Sequence, residues 1–388
     1  MSIHINSQFD SGNIEVLSAE TADDIRLRIR HDSNSEFLQW FHFRLTAPKG
    51  ASVRIVIENA GECSYAEGWH GYQCAASHDR EDWFRITTTY YDGKQLRIEF
   101  LMQQDNIWLA YFQPYSLERH FDLLARYAQK PDVKLLQLGN SIEQRSVDAL
   151  RVGQPDAARK NIWIIARQHP GESMAEWCAE GLLEALLNNN DGNDSDPEFG
   201  PIAREVRQLA CLYIVPNVNP DGSTLGNLRS NAAGANLNRE WRAPSAERSP
   251  EILCVRQGML DNGVDLFIDL HGDETLPYVF IDGSHMVPGY GERNLALQQA
   301  FLDDLLAASP DFQTAQGYAD NRFDDELLTL ASKWVAHQFK CVALTLEMPF
   351  KDNANALDER TGWSAARSKR LGALLLHPIL AHLRRAAT

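Results

Sequence analysis

Two polar side chains three positions apart, His169 and Glu172, lie where they could bind a metal ion. They follow an apolar run, residues 162–166, which is typical of a buried strand, and they precede residues 173–187, which have the pattern of a helix. A turn between a strand and a helix places an imidazole and a carboxylate on the same side, where both can contact one divalent cation. The spacing alone is a weak signal, because an HxxE pattern often occurs by chance.

Two other strand-like runs lead into residues that could complete this site, His271 and Glu347. In open α/β sheets, ligands bind where the strands end, so we expect these side chains to meet at one edge of a sheet. Two histidines and one glutamate, here His169, His271 and Glu172, are a ligand set of catalytic zinc, which keeps a fourth position for water. A carboxylate beside such a water, here Glu347, could act as a general base. The plainer alternative for Glu347 is a salt bridge at the end of a strand.

Two arginines, Arg229 and Arg239, lie in Gly- and Asn-rich sequence after another strand-like run. A guanidinium binds a carboxylate through two parallel hydrogen bonds and does not lose its charge. Most surface arginines are simply solvated, but two of them beside a candidate zinc site indicate recognition of an anion. The nearby segment Asn219-Pro-Asp-Gly222 is typical of a tight turn.

The elements that must position these residues fall into two parts. Residues 1–112 predict short strands and little helix: residues 24–30 alternate between apolar and charged side chains, and residues 83–90 and 96–101 flank the turn-like sequence Tyr91-Asp-Gly-Lys94. Such a run of short strands favours an antiparallel β-sandwich.

From residue 113 onward, the pattern changes to alternating strands and helices. Ser116 can cap a helix that extends to Tyr127, and an amphipathic pattern over residues 364–385 predicts a terminal helix. Strands are predicted at 133–138, 161–166, 210–215, 264–270 and 341–346. This alternation indicates an α/β domain, residues 113–388, with a mixed, largely parallel sheet and helices on its faces.

Composition excludes some classes of partner. The 388 residues carry 37 basic and 53 acidic side chains, a net charge of −16, which disfavours nucleic-acid binding. The longest apolar runs are far shorter than the roughly 20 residues of a membrane span, so we expect no membrane association. The N-terminus lacks a secretory pattern, and the six cysteines are scattered, as expected for free thiols in the cytoplasm. The sequence does not reveal whether the protein forms a homo-oligomer.

Other reaction chemistries lack their motifs. The sequence contains no G-x-S-x-G, so a serine hydrolase is disfavoured, and it contains neither a G-x-G-x-x-G that opens a βαβ unit nor a P-loop for nucleotides.

Six short motifs follow one another along the second part of the chain: His169-x-x-Glu172, Asn219-Pro-Asp-Gly222, Arg229, Asn238-Arg239, Asp269-Leu-His271-Gly272 and Thr345-Leu-Glu347. In this order they resemble the zinc metallocarboxypeptidases of the carboxypeptidase A type. The segments Gly226-Asn-Leu-Arg229, Trp40-Phe-His-Phe43 and Ala110-Tyr-Phe-Gln-Pro-Tyr-Ser116 are similar to the cytosolic carboxypeptidase branch. The resemblance covers nearly the whole chain and implies an N-terminal β-sandwich followed by an α/β carboxypeptidase domain.

The resemblance also implies roles for the site residues. One Zn²⁺ per chain would be bound by His169, Glu172 and His271. The substrate would be the C-terminus of a peptide or protein, whose α-carboxylate would be held by Asn238 and Arg239. By the same resemblance, Arg229 would polarise the scissile carbonyl, and Glu347 would act as general base and then as proton donor.

The residue that recognises the last side chain of the substrate departs from the family pattern. Eukaryotic members that remove acidic residues have an arginine about fifteen positions before the general base; here Ser332 stands there, with Lys333 beside it. Either Lys333 takes over this role, or the pocket prefers another residue, so removal of glutamate stays open. The family's tyrosine that closes over substrate has three candidates, Tyr278, Tyr290 and Tyr318.

Two functions therefore compete with peptide trimming. A zinc deacylase or amidase acting on N-acyl amino acids would use the same metal ligands. A binding module without activity would keep the fold alone, which the complete ligand set and Glu347 argue against.

Overall fold

The first part of the chain forms two five-stranded β-sheets that share one apolar core. The computed structural model describes residues 3–188, 197–319 and 324–386. One sheet has the order β1-β4-β10-β6-β7 and the other β2-β3-β5-β9-β8, and all neighbours are antiparallel except β3 and β5. The strands are β1 (His4–Asn6), β2 (Glu15–Ser18), β3 (Ile25–Arg28), β4 (His42–Thr46), β5 (Ser52–Ile57), β6 (Cys74–Ser77), β7 (Trp83–Ile86), β8 (Thr89–Tyr91), β9 (Leu96–Leu101) and β10 (Asn106–Ala110).

The strand patterns predicted for this part are mostly confirmed. Ile25 and Leu27 are fully buried, whereas the intervening side chains of β3 are not, as the alternation predicted. β8 and β9 form the expected hairpin. The prediction of one continuous strand over residues 83–90 is wrong: β7 belongs to one sheet and β8 to the other. Thr89 turns the chain between them, because its hydroxyl donates to the Ile86 carbonyl at 2.7 Å.

The second part contains a seven-stranded mixed sheet of order β11-β12-β14-β13-β15-β17-β16. Its four central strands, β14, β13, β15 and β17, are parallel, and the outer strands are antiparallel. The strands are β11 (Val133–Asn140), β12 (Ser146–Val152), β13 (Lys160–Ala166), β14 (Ala210–Val215), β15 (Leu266–Asp273), β16 (Phe280–Asp282) and β17 (Val342–Pro349). The sequence patterns missed β12, which contains Asp148 and Arg151, and β16, which has only three residues.

Nine α-helices lie within the described ranges of this part: α1 (Leu117–Ala128), α2 (Ser173–Leu187), α3 (Gly200–Leu209), α4 (Pro220–Leu225), α5 (Pro250–Asn262), α6 (Gly291–Ala308), α7 (Ala331–Phe339), α8 (Ala365–Leu374) and α9 (Leu376–Ala386). Ser116 caps α1 by accepting from the Arg119 N–H, as predicted. The single terminal helix expected over 364–385 is instead α8 and α9, because Pro378 cannot donate the hydrogen bond that would continue the first helix.

Helix α2 lies almost completely buried behind the central strands. It packs closely on α8, where a Cβ on Gly372 would lie 1.9 Å from the Cys178 carbonyl oxygen. Only glycine at this position permits such a close approach of the two helices. This packing fixes α2 and the turn that precedes it. All six cysteines are free, and five of them are buried. Among the helices in the ranges above, none combines the length and the apolar character needed to cross a membrane.

Candidate metal centre and substrate pocket

The turn between β13 and α2 is held by a buried arginine in an unusual backbone conformation. Arg167 has φ 62° and is 1% exposed. Its guanidinium donates to the Pro170 carbonyl at 2.9 Å, to the Tyr115 carbonyl at 2.9 Å and to the Glu176 carboxylate at 2.7 Å. These contacts stabilise a left-handed conformation that costs of the order of 1 kcal/mol or more, and they aim His169 at the sheet edge.

The three predicted ligands converge behind this turn. Nδ1 of His169 lies 2.7 Å from Oε1 of Glu172, and Nδ1 of His271 lies 2.8 Å from Oε2 of the same carboxylate. The two imidazole Nδ1 atoms are 3.1 Å apart. All three side chains are buried, and each offers one atom to a common point. The prediction placed His271 after the end of its strand; it lies inside β15, which extends to Asp273.

The remaining nitrogen of each imidazole is held by a polar neighbour. Nε2 of His271 lies 2.9 Å from the Asp269 carboxylate, which also accepts from the Gln168 amide at 2.6 Å. Nε2 of His169 lies 3.0 Å from the Asn236 amide oxygen. Such partners fix the ring orientation of metal-binding histidines. Asp269 belongs to one of the motifs named above, whereas Gln168 and Asn236 carried no signal in the sequence.

The electrostatics of these groups fit a divalent cation. Burial and nearby Arg229 lower the pKa of His169 to about 3, so its imidazole is neutral, as a metal ligand must be. Burial opposes a charge on His271, but the carboxylates of Asp269 and Glu172 overcome this and raise its pKa well above the usual range. Two buried carboxylates thus favour a positive charge at this point, which a proton on His271 supplies here and a bound cation would supply in its place. Two imidazole nitrogens and one carboxylate oxygen are a ligand set that suits Zn²⁺.

Glu347 lies beside His271 in the neighbouring parallel strand, where the two residues are register partners. Its strand continues to Pro349, so Glu347 is also inside a strand and not after it. Burial raises the pKa of its carboxyl well above the usual range. The Tyr318 hydroxyl oxygen lies 3.2 Å from Oε1, whereas Oε2 is buried and has no hydrogen-bond partner within the described parts of the chain. A cation bound by the neighbouring ligands would favour the ionised form of this carboxyl, whose unpartnered oxygen could then accept a proton from water.

These groups line a pocket of about 420 Å³ that also contains both predicted arginines. The guanidinium of Arg229 lies 3.9 Å from Glu172 and 4.0 Å from Glu274. Burial raises the pKa of Glu274 to about 8. Arg239 donates to the Asn238 carbonyl at 2.7 Å and has no carboxylate partner among the residues that the structure describes. Arg239 is therefore a cation of this pocket that could bind an external anion.

Asn238 lies between this arginine and the metal ligands. Its amide oxygen accepts from the Ala331 N–H at 2.9 Å, and its amide nitrogen lies 3.4 Å from Nε2 of His271. The side chain is 8% exposed, so a substrate could approach only its nitrogen end.

The pocket is also lined by Ser332 and Lys333, the two residues at the position where the resemblance implies recognition of the last substrate side chain. Ser332 and Thr345 hydroxyls are 2.9 Å apart. The Lys333 ammonium donates to the Asp282 carboxylate at 2.8 Å and to the Gly283 carbonyl. Lys333 is therefore already paired, and its Asp282 partner is the more exposed of the two.

The pocket residues that were not among the predicted site residues include Tyr65, Asp273 and Glu274. Tyr65 comes from the β-sandwich, and only the docking of that domain places it here. Asp273 and Glu274 directly follow His271-Gly272, so their place beside a predicted ligand is a signal that could have identified them. Of the three candidate tyrosines, Tyr318 lines the pocket, and its hydroxyl donates to Asp273 at 2.7 Å.

Comparison with known proteins gives two family matches. Residues 5–112 match the cytosolic carboxypeptidase N-terminal domain, and residues 121–363 match the zinc carboxypeptidase family. Similar solved structures include a metallo-carboxypeptidase of Burkholderia cenocepacia (50% identity, 99% of this chain and 100% of that one, TM-score 0.95). Another is a Pseudomonas aeruginosa metallo-carboxypeptidase in complex with (2-guanidinoethylmercapto)succinic acid (42% identity, 98% and 100%, TM-score 0.91). Cytosolic carboxypeptidase 6 of Caenorhabditis elegans is 26% identical over 89% of this chain and 78% of its own length.

Proposed function

Because this chain belongs to the zinc carboxypeptidase family and carries the N-terminal domain of the cytosolic carboxypeptidases, we propose that it removes single residues from the C-termini of peptides or protein tails. The protein is a zinc-dependent hydrolase. The observation that carries the proposal lies within one pocket. Among the residues that the structure describes, the Arg239 guanidinium has no carboxylate partner and one oxygen of Glu347 has no donor.

Zinc held by His169, Glu172 and His271 would supply the Lewis acid that makes a nucleophile from water near neutral pH. Arg239 binds the terminal α-carboxylate of the substrate and so places the last peptide bond beside Glu347, which is a positioning effect. Glu347 takes the proton of the attacking water and later delivers it to the leaving amine.

Arg229 donates to the oxygen that becomes negative as the carbonyl carbon turns tetrahedral. Loss of one such donor typically costs about 2.7–4 kcal/mol of transition-state stabilisation. The amide nitrogen of Asn238 assists Arg239 in holding the carboxylate. The proposed location is the cytoplasm, supported by the match to the cytosolic carboxypeptidase N-terminal domain and by the free cysteines.

The direct test compares a peptide with a free C-terminal carboxylate and the same peptide with a C-terminal amide. We expect release of the last amino acid from the free acid alone, and loss of that release when a chelator removes zinc. N-acyl amino acids form a third arm of this test. If the protein hydrolyses those compounds faster than any peptide, its proposed function becomes deacylation and not peptide trimming.

Two variants test the assigned roles. Glu347→Gln should abolish turnover and still bind one zinc, and the exposed Glu359→Gln should behave as the wild type. Arg239→Ala should mainly raise KM for peptides, whereas Arg242→Ala, the same change on a solvent-exposed neighbour, should not. Full activity of Glu347→Gln would disprove the proposed mechanism.

Removal of a terminal glutamate is the finer part of the proposal, and it depends on Lys333. Its ammonium has three N–H groups, and two are used by Asp282 and Gly283, which leaves one for a substrate carboxylate. Peptides that differ only in a terminal Glu, Gln or Lys measure this preference. A faster reaction with Glu than with Gln supports glutamate removal; a preference for Lys assigns recognition to Asp282 instead.

A further inference from the structure

The loop that carries Arg229 is held by a carboxylate of the β-sandwich. Asp32 accepts hydrogen bonds from the backbone N–H groups of Leu228, Arg229 and Ser230 at 2.6, 2.7 and 2.9 Å. The hydroxyl of Ser230 donates to the same carboxylate at 2.9 Å. Successive N–H groups that point to one side form a concave binding site for an anion, and Asp32, which is 4% exposed, fills it.

Neighbours of Asp32 hold the loop on both sides of this contact. The Ser33 N–H donates to the Asn227 amide oxygen at 3.0 Å. The Asn34 amide donates to the Ala232 carbonyl at 2.9 Å. The β-sandwich therefore fixes the loop backbone before and after Arg229.

The side chain of Arg229 is also enclosed by the β-sandwich. Its guanidinium lies 5.8 Å from the ring centre of Phe37 and 5.2 Å from that of Tyr65, within the range of cation–π attraction. The proposed zinc ligands and Glu347, by contrast, all come from the α/β domain: His169 and Glu172 lie in the turn between β13 and α2, and His271 and Glu347 lie in β15 and β17. One guanidinium of the pocket is thus oriented mainly by a different domain from the one that carries the metal centre.

We propose that Asp32 is a positioning residue for the carboxypeptidase reaction, which holds Arg229 where it can donate to the developing oxyanion. The inference rests on the proposed role of Arg229. A buried carboxylate is costly unless hydrogen bonds compensate it, and here four hydrogen bonds tie that carboxylate to one loop. Without it, three N–H groups lose their acceptor and the loop relaxes, and a displacement of about 1 Å at a reaction centre can cost about 100-fold in rate.

The test compares Asp32→Asn with Asp82→Asn in the full-length zinc-loaded protein. Asn keeps the shape of Asp32 but turns one acceptor oxygen into a donor that faces N–H groups. Asp82 is a matched control. It is also a carboxylate of the β-sandwich that contacts the α/β domain, through an exposed ion pair with Arg360 at 2.6 Å. We expect kcat of Asp32→Asn to fall about tenfold or more, with KM nearly unchanged and one zinc bound, and kcat of Asp82→Asn to stay at the wild-type value.

A double variant separates positioning from general loss of structure. In an Arg229→Ala background, Asp32→Asn should reduce kcat little further, because the group that it positions is gone. An equal fall of kcat in both backgrounds would overturn the proposal, as would wild-type kcat in Asp32→Asn. If Asp32→Asn does not fold, Ser230→Ala is the milder variant, because it removes only one of the four hydrogen bonds. A smaller fall in its kcat that disappears in the Arg229→Ala background supports the proposal. An unchanged kcat opposes it.

Amide hydrogen exchange provides a readout that does not need turnover. The N–H groups of residues 228–230 should exchange faster in Asp32→Asn than in the wild type, and Asp82→Asn should leave them protected. Absence of peptide hydrolysis by the wild type would refute the proposed function and, with it, the positioning role. Unchanged exchange in Asp32→Asn would refute the contact with the loop, whatever the activity.

Discussion

Asp269 is the residue through which the sheet orients one of the proposed metal ligands. Its carboxylate lies 2.9 Å from Nε2 of His271, so Nδ1 of that ring is directed to the other two ligands. Partners of this kind typically contribute a factor of about 10–100 to metal affinity. Asp269 is fully buried, so its orientation is set by the sheet and by Gln168 and not by solvent.

Asp269→Asn should therefore weaken zinc affinity by about 10–100-fold without unfolding the protein. Competition with a chromogenic chelator measures this. Asp265→Asn makes the same substitution just before the same strand, at the end far from the metal centre, where Asp265 pairs with Lys160 at 3.0 Å. Equal zinc affinity in the two variants would show that Asp269 does not orient the ligand.

Glu251 makes the stability of this protein depend on pH. It is fully buried and accepts from the Asn231 amide at 3.1 Å and from the Ile142 N–H at 3.3 Å. Burial raises the pKa of its carboxyl from 4.5 to about 7. The folded state thus binds the proton more tightly than the unfolded state, so the contribution to stability is complete below pH 4.5 and is lost as pH rises through about 7.

As the pH rises from 5.5 to 8, ionisation of this buried carboxyl should lower the free energy of unfolding by about 2 kcal/mol. Urea unfolding at the two pH values measures it. Glu251→Gln should lose that part of the pH dependence, whereas Glu359→Gln, at an exposed position, should keep it. An identical pH dependence in all three proteins would contradict the raised pKa.

Among single residues, the sequence predicts those site residues that their immediate neighbours in the chain reveal. His169 and Glu172 share one turn, and His271 and Glu347 follow apolar runs, so each could be recognised without knowledge of the fold. Asp32 could not be recognised in this way, because its contact with the Arg229 loop joins positions 196 residues or more apart. Such contacts follow from the docking of two domains, which periodicity does not describe.

Among the features of the secondary-structure elements, the register of neighbouring strands does most to bring the site residues together. β15 and β17 are parallel neighbours in which His271 pairs with Glu347, and β13 lies on the other side of β15. The apolar runs predicted these strands, and the alternation with helices predicted their parallel order. The extra residues of β15 and β17 were missed, because Gly272, Asp273 and Pro349 are not typical of strands.

The segment between α4 and α5 depends on a close approach to the β-sandwich at Gly234. This glycine has φ +81°, and a Cβ there would lie 2.1 Å from the Asn34 carbonyl oxygen. Gly234→Ala should therefore cost more than the roughly 1 kcal/mol of left-handed strain, by moving the loop that holds Arg229. Gly50→Ala is the matched control, because φ is +84° and nothing lies within 4 Å of its Cβ position.

Denaturant unfolding and peptide turnover of the two variants test this contact. Gly50→Ala should lose about 1 kcal/mol of stability and keep its activity. Gly234→Ala should lose more stability and also lower kcat. Equal effects of the two substitutions would mean that the contact with Asn34 is not rigid.

Over the whole molecule, the largest apolar core extends through both the β-sandwich and the α/β domain, and a second core lies within the α/β domain. The largest cluster of buried side chains runs from Ile25 in the first domain to Leu346 in the second, and Tyr111 stacks on Phe350 with ring centres 4.5 Å apart. The change of pattern near residue 113 predicts where the domains divide, but not that they are packed together. The proposed dependence of Arg229 on Asp32 requires this packing, because a loosely tethered domain could not fix a guanidinium.

Arg85 offers the sharpest test of whether the two domains unfold together. It is 7% exposed, and its guanidinium donates to the carbonyls of Gln73 at 2.8 Å, Phe350 at 2.8 Å, Thr361 at 3.1 Å and Trp363 at 3.1 Å. Arg85→Ala leaves these carbonyls without a donor, so we expect a loss of about 3 kcal/mol or more in a single unfolding transition seen by both calorimetry and activity. The exposed Arg97→Ala, in the same domain, should change stability by less than about 1 kcal/mol. Two separate transitions, with activity retained after the first, would show that the β-sandwich is not needed to hold the reaction site.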